Sequence, residues 1–455
     1  MGCCLKMFGL VTLVSAVLLG LGWHWLTTVP DVPNIKTEYW GPGTPKPDDK
    51  SIRPFIINVS DEVINDLKDR LAKTKLTKPL EGVGFQYGFN TGYLAKILDF
   101  WRTKYDWKER EVYLNKYPQF KTQIGGLQIH FLHVKPDPKK AKGKQTIPLL
   151  MLHGWPGSVR EFYEIIPMLT TPKPEHDFVF EVVAPSLPGY GFSDGASKPG
   201  LGPVHMAALF NDLMVRIGHQ KYYIQGGDWG SIIGVSLAVI RPNNVLGYHS
   251  NMCFVNSALA KLQTLVAYFF PSLLIEKHMQ ADYPNTFFNL ILESGYMHIQ
   301  ATKPDTVGVA LSNSPAGLAA YILEKFSTWT NKAWRDLSDG GLEHYDKAAL
   351  LDNVMIYWIT NSITSSVRLY SEAFSKNYQA LRMDEIPMLR PTGCARFKNE
   401  LVFSSASMLT HHLKDLVQIT DYADGGHFAA FEVPDVLAAD IWKFVKTVRL
   451  RKSAV

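Results

Sequence analysis

The passage Gly226-Gly227-Asp228-Trp229-Gly230-Ser231 constrains this chain more than any other. A strand-like run, Lys221 to Gln225, precedes it, and an apolar, helix-capable run, Ile232 to Ile240, follows. Strand, glycine-flanked residue and helix make a nucleophile elbow, in which a strained turn pushes one side chain out of a sheet. Flanking glycines tolerate that backbone. Here the projecting group is a carboxylate. A carboxylate nucleophile forms an ester with an alkylating carbon, which water must then hydrolyse.

The surrounding pattern supports an α/β protein. Leu127 to Val134 alternates, whereas Ile147 to Leu152 and Phe178 to Ala184 are continuously apolar, as buried parallel strands are. Helical patterns follow them, which predicts a parallel sheet. Residues 120–262 read as the first part of an α/β core. Residues 263–385 lose strand signals and read as an inserted helical cap rich in Tyr, Phe, Trp and Leu. Residues 386–455 read as the second part of the core, with strands near Met388–Gly393 and Leu416–Thr420 and a last helix over about 434–448. Before the core, residues 30–119 combine a proline-rich linker, to about residue 53, with a helical arm. Ser60 suits the cap of its first helix.

Residues 1–29 read as a membrane anchor. Met7 to Val29 contains no Asp, Glu, Lys or Arg and is long enough to cross a hydrocarbon layer of roughly 30 Å. Trp23 and Trp25 near its end suit an interface. The run is long for a cleaved signal peptide and lacks a closing small-residue site. Cys3 and Cys4 are candidates for palmitoylation. The four cysteines, Cys3, Cys4, Cys253 and Cys394, are too few and scattered for a disulfide framework or zinc site, and fit a reduced environment. A net charge of +5 over 455 residues, with no long basic run, gives no support to nucleic-acid binding.

Several residues are candidates for chemistry. Gly191-Phe192-Ser193-Asp194-Gly195 matches a serine-hydrolase pattern, but Pro188 and Gly189 before it and Pro199-Gly200 after it make it a turn. His153-Gly154-Trp155-Pro156 follows an apolar strand, where loops line the site of a parallel sheet. The backbone N–H groups of Trp155 and Trp229 can together hold an oxyanion. The base is expected late in the chain, and His427 in Asp424-Gly425-Gly426-His427-Phe428 has the setting, whereas His411 and His412 read as surface residues. Glu400, Asp415, Asp421 and Asp424 all remain candidates for the carboxylate that orients it.

Taken together, Gly-Gly-Asp228-Trp-Gly-Ser, His153-Gly-Trp-Pro, Gly-Gly-His427-Phe-Ala-Ala-Phe and Tyr39-Trp40-Gly41-Pro42-Gly43 resemble the microsomal epoxide hydrolases. The phrase from Gly154 to Leu169 is most similar to insect juvenile hormone epoxide hydrolases. The amino-terminal Met-Gly-Cys-Cys is not part of that resemblance. The resemblance implies an α/β-hydrolase fold with a helical cap, no metal and no organic cofactor. It implies a lipophilic epoxide substrate, juvenile hormone or a foreign epoxide, and the endoplasmic reticulum membrane as location. It selects Glu400 as partner of His427, and it assigns Tyr296 and Tyr370 as donors to the epoxide oxygen. A haloalkane dehalogenase would use the same Asp, His and Trp set, but the tyrosine pair speaks against it. The intact Asp228, Glu400 and His427 set speaks against a non-catalytic, membrane-tethered binding protein.

Overall fold

The computed structural model describes residues 28–453 except 282, together with positions 14, 15, 17, 20 and 22–24. Most of the expected anchor, including Cys3 and Cys4, lies outside the described residues. Among those described, no single helix is long and apolar enough to cross a membrane.

Among the described residues nine strands form one sheet: β1 (Arg53–Phe55), β2 (Gln119–Ile124), β3 (Leu127–Val134), β4 (Gln145–Leu152), β5 (Phe178–Pro185), β6 (Tyr222–Gly226), β7 (Val245–Ser250), β8 (Thr392–Phe397) and β9 (Leu416–Tyr422). Their spatial order is β1-β2-β3-β5-β4-β6-β7-β8-β9. From β5 to β9 every pairing is parallel, while β1, β2 and β3 join antiparallel at one edge. β5 is buried at every position, in accord with its unbroken apolar run.

Between β7 and β8 every regular element is helical, from Ala258 to Glu385. The expected strand at Met388–Gly393 is displaced to β8. Met388 makes only an isolated bridge to Leu413. Pro391 has no N–H to give a ladder, and its carbonyl accepts from Tyr248 N. β1 and β7 are elements that the sequence pattern does not announce. The final helix runs from Pro434 to Ser453, longer than expected.

The proline-rich stretch is more than a linker. Trp40 is buried, its N–H donates to Gly125 O at 2.7 Å, and Ile35 O accepts from Arg241 Nη2 at 2.6 Å. Ser60 stands at the amino end of helix Asp61–Ala72, but its side chain makes no capping bond.

One buried carboxylate ties three regions together. Asp352, in helix Lys347–Thr360, accepts from Arg110 Nε at 2.9 Å, Arg160 Nε at 3.0 Å and Tyr105 Oη at 2.9 Å. Tyr105 and Arg110 belong to the amino-terminal arm, and Arg160 follows the Trp155 loop.

The cysteine reading needs correction. Cys253 and Cys394 form a disulfide across 141 residues of sequence. β7 and β8 are neighbours, with Ser250 paired to Cys394, so the fold brings together two thiols that look scattered along the chain. A reduced environment no longer follows from cysteine usage.

Candidate active site

Asp228 opens helix Asp228–Ile240 directly after β6 and has φ 48°. A non-glycine residue in the left-handed region is strained, and such strain gathers at functional turns. Its neighbours explain the glycines. A Cβ on Gly230 would lie 2.0 Å from Leu152 O, and one on Gly154 would lie 2.0 Å from Asp228 Oδ1. The β4 loop and the elbow are therefore pressed together, and only glycine fits between them.

That approach brings Trp155 N–H to Asp228 Oδ1 at 2.7 Å. His153 fixes the loop: its Nε2 accepts from Leu187 N at 3.1 Å, which leaves Nδ1 to donate to Gly154 O at 3.0 Å. Burial pushes this imidazole down to about 4, so it stays neutral. Trp229 sits in the first helical turn beside Asp228, but no bond from its N–H to the carboxylate is formed here, unlike that from Trp155.

On the other side of the carboxylate stands His427. Its Nε2 lies 3.3 Å from Asp228 Oδ2 and its Nδ1 2.7 Å from Glu400 Oε1. Burial opposes the charged imidazolium, but Glu400 and Asp228 outweigh it and hold the pKa well above the usual histidine range. The other three acid candidates are occupied or remote. Asp421 pairs with Arg396, Asp415 pairs with Arg451, and Asp424 is exposed.

Two helices of the inserted block bring Tyr296 and Tyr370 to the same place. The Tyr296 ring stacks on Trp155, with centroids 5.4 Å apart and 9° between planes. Tyr370 meets Trp229 edge-on at 4.7 Å and Tyr296 at 5.8 Å. Burial and the nearby Asp228 push Tyr296 far above the usual phenol range. Burial, Tyr296 and Asp228 do the same for Tyr370. Both phenols therefore keep their protons. Asp228, Trp229, Tyr296, Tyr370 and His427 share one cavity of about 340 Å³. The walls of this cavity include Ile232, Val235, Phe254, Phe374 and Leu401.

A second cavity of about 10 Å³ also touches Asp228 and His427, together with Glu161, Gln225 and Asn251. That volume holds about one water. Gln225 Nε2 donates to Asn251 Oδ1 at 2.8 Å, while Gln225 Oε1 is buried without a protein partner. Burial pushes Glu161 up to about 8, with His427 opposing and Asp228 reinforcing the shift. Sequence reasoning missed these three residues. Asn251 directly follows the unrecognised β7.

Ser193 is buried in a turn, donates to Ser186 O at 2.8 Å and accepts from His130 N at 2.9 Å, a structural role. His412 is buried and lines the larger cavity, contrary to the expectation of a surface residue. Among the described residues, His133, Glu181 and His219 form a group of metal-ligand composition. His133 and His219 each place Nε2 on Glu181 Oε1, with Lys135 beside them, and none of the three lines either cavity.

The family model for the epoxide hydrolase N terminus matches residues 52–162, and that for the alpha/beta hydrolase fold matches residues 147–379. Juvenile hormone epoxide hydrolase 1 of Ctenocephalides felis is 52% identical over 453 residues, covering 98% of this chain and 96% of that protein. Epoxide hydrolase 1 of Oryctolagus cuniculus is 47% identical, covering 96% of this chain and 99% of that protein. The crystal structure of juvenile hormone epoxide hydrolase from Bombyx mori superposes with a TM-score of 0.88 at 46% identity, covering 91% of this chain and 99% of that one. The chain belongs to the epoxide hydrolase family and has its α/β-hydrolase fold.

Proposed function

We propose that this enzyme converts lipophilic epoxides, juvenile hormone among them, to vicinal diols through an ester on Asp228. The observation that carries this reading is the line Glu400, His427, Asp228, at 2.7 and 3.3 Å, facing two protonated phenols across one apolar cavity. The names of the Ctenocephalides felis and Bombyx mori relatives support the hormone as substrate.

Asp228 Oδ1 is held by Trp155 N–H, so Oδ2 is the attacking atom. It forms a bond to one epoxide carbon while that carbon's bond to oxygen breaks. Tyr296 and Tyr370 stabilise the developing alkoxide; one phenol gives it a proton and is reprotonated with the proton that His427 releases. Ester formation removes the Asp228 charge, and with it part of the force that keeps His427 protonated. Neutral His427, oriented by Glu400, takes a proton from water in the small chamber beside Glu161, Gln225 and Asn251. The resulting hydroxide adds to the ester carbonyl while Trp155 and Trp229 N–H groups hold the oxyanion. The carbonyl re-forms as its bond to the substrate oxygen breaks, that oxygen takes the proton of the added hydroxyl, and the diol leaves with Asp228 again a carboxylate and His427 protonated. The helical insertion, residues 263–385, serves as the cap.

Single turnover in oxygen-18 water tests this. The first diol should carry unlabelled oxygen from Asp228, and label in that first diol would overturn the ester route. Halide release from a chloroalkane without diol formation would favour a dehalogenase. Comparing turnover of juvenile hormone and styrene oxide tests the substrate.

Residues 7–29 serve as an anchor in the endoplasmic reticulum membrane, supported by a stretch free of charged side chains. Retention of the protein in the membrane pellet after alkaline carbonate washing would agree, and full release would not.

A further inference from the structure

The large cavity has two ends of different chemistry. One holds Asp228 and the two phenols. From there the wall follows helix Asp228–Ile240 through Ile232, Val235, Ser236 and Val239. At 1.5 Å per residue, Ser236 lies about 12 Å along the axis from Asp228. Around Ser236 the lining turns polar. Tyr378 neighbours the Ser236 hydroxyl, Asp384 acts on Tyr378, and Asn256 stands beside Asp384. His412 completes this end, beside the backbone of Ile386.

His412 is the telling member. It is only 4% exposed, yet neither ring nitrogen completes a hydrogen bond of good geometry within the protein. Buried polar groups are nearly always satisfied, so one left open in a cavity wall points to a ligand. Charge of either sign is disfavoured here. Burial pushes His412 down to about 4, and burial pushes Asp384 up against the opposing effect of Lys261. An ionic ligand group would meet the same penalty. A neutral hydrogen-bonding group would not, and the stretch between the two ends is apolar.

We propose that His412, Asp384 and Asn256 form a distal recognition point that binds an uncharged hydrogen-bonding group, such as an ester, at the far end of an elongated apolar epoxide. This assignment rests on the epoxide reading above. The apolar stretch takes the chain, and the polar end selects substrates by what they carry about 12 Å from the oxirane.

The test uses the full-length enzyme and three epoxides. One carries a methyl ester about 12 Å from the oxirane, the second is its hydrocarbon analogue of equal length, and the third is styrene oxide. The wild-type enzyme should favour the ester over the hydrocarbon about tenfold in kcat/KM, the scale of one hydrogen bond. The difference should lie mainly in KM. His412→Phe should bring that ratio to about one, while His412→Gln, which keeps a neutral hydrogen-bonding side chain, should retain most of it. Should His412→Phe fail to fold, Asn256→Leu carries the same expectation. Turnover of styrene oxide with no ester preference, or a preference untouched by these variants, would overturn the proposal alone. No turnover of any of the three would overturn the epoxide reading and this assignment with it.

Discussion

His427 Nδ1 and Glu400 Oε1 lie 2.7 Å apart, and Leu401 N–H donates to the same oxygen at 2.7 Å. The carboxylate is thus itself fixed by backbone before it fixes the imidazole. Replacing Glu400 with Gln keeps the shape but presents an amide that can impose the wrong tautomer. We expect kcat to fall about 10³- to 10⁴-fold, by analogy with an Asp-to-Asn change in a hydrolase triad. Steady-state kinetics on styrene oxide checks this, and a loss below tenfold would remove Glu400 from the machinery.

The pH dependence follows from the same contact. His427 must be neutral to take a proton from water, so ester hydrolysis is lost as pH falls through its pKa in the ester form. In the free enzyme Glu400 and Asp228 raise that pKa, and in the ester only Glu400 still does so. Residual activity of Glu400→Gln should therefore show its acid limb at lower pH than wild type. An unmoved or upward-shifted limb in single-turnover profiles would contradict this assignment.

Removing the base and removing the nucleophile have different signatures. Asp228→Ala should abolish turnover without ester formation. His427→Gln should still form the ester and then stall, which intact-mass measurement would detect as one substrate added per chain. Absence of the adduct in His427→Gln would mean that His427 is also needed for the alkylation step.

Tyr296→Phe and Tyr370→Phe each remove one donor and little volume. By the scale of other preorganised donors, each should lower kcat about 10²-fold or more, with little change in KM. A loss confined to KM would make the phenols part of substrate binding, not of oxygen activation.

Asp352 sits between Arg110 and Arg160 with a wholly buried side chain. Asp352→Ala would leave arginine charge uncompensated, at a cost of about 3–5 kcal/mol. Urea unfolding should show the loss, and a cost under about 1 kcal/mol would mean that water reaches the site.

Legibility varied with how local the physics is. β3 could be read from its alternation, and β4 and β5 from unbroken apolar runs. β7 could not: Val245-Leu246-Gly247-Tyr248-His249-Ser250 mixes glycine and polar residues, and His249 is buried only because Asp440, 191 residues away, accepts at 2.8 Å. Asp228 and His427 stand in glycine-marked turns that betray them. Tyr296 and Tyr370 lie inside ordinary helices and become visible only when the fold turns both toward Trp155. The Cys253–Cys394 bond and the burial of His412 are likewise products of long-range packing.

Asp352 also bears on how this architecture can vary. Its helix, Lys347–Thr360, leads directly into the helix that carries Tyr370, and its partner Arg160 follows the loop that carries Trp155. The alignment of Tyr370 against Asp228 is thus keyed by an ionic joint that lines neither of the cavities touching Asp228, with the amino-terminal arm supplying Tyr105 and Arg110. A helical insertion grafted from a relative would need a matching joint, or arrive with its tyrosine out of register. Chimeras that exchange residues 263–385 together with Tyr105, Arg110 and Arg160 are the ones to build.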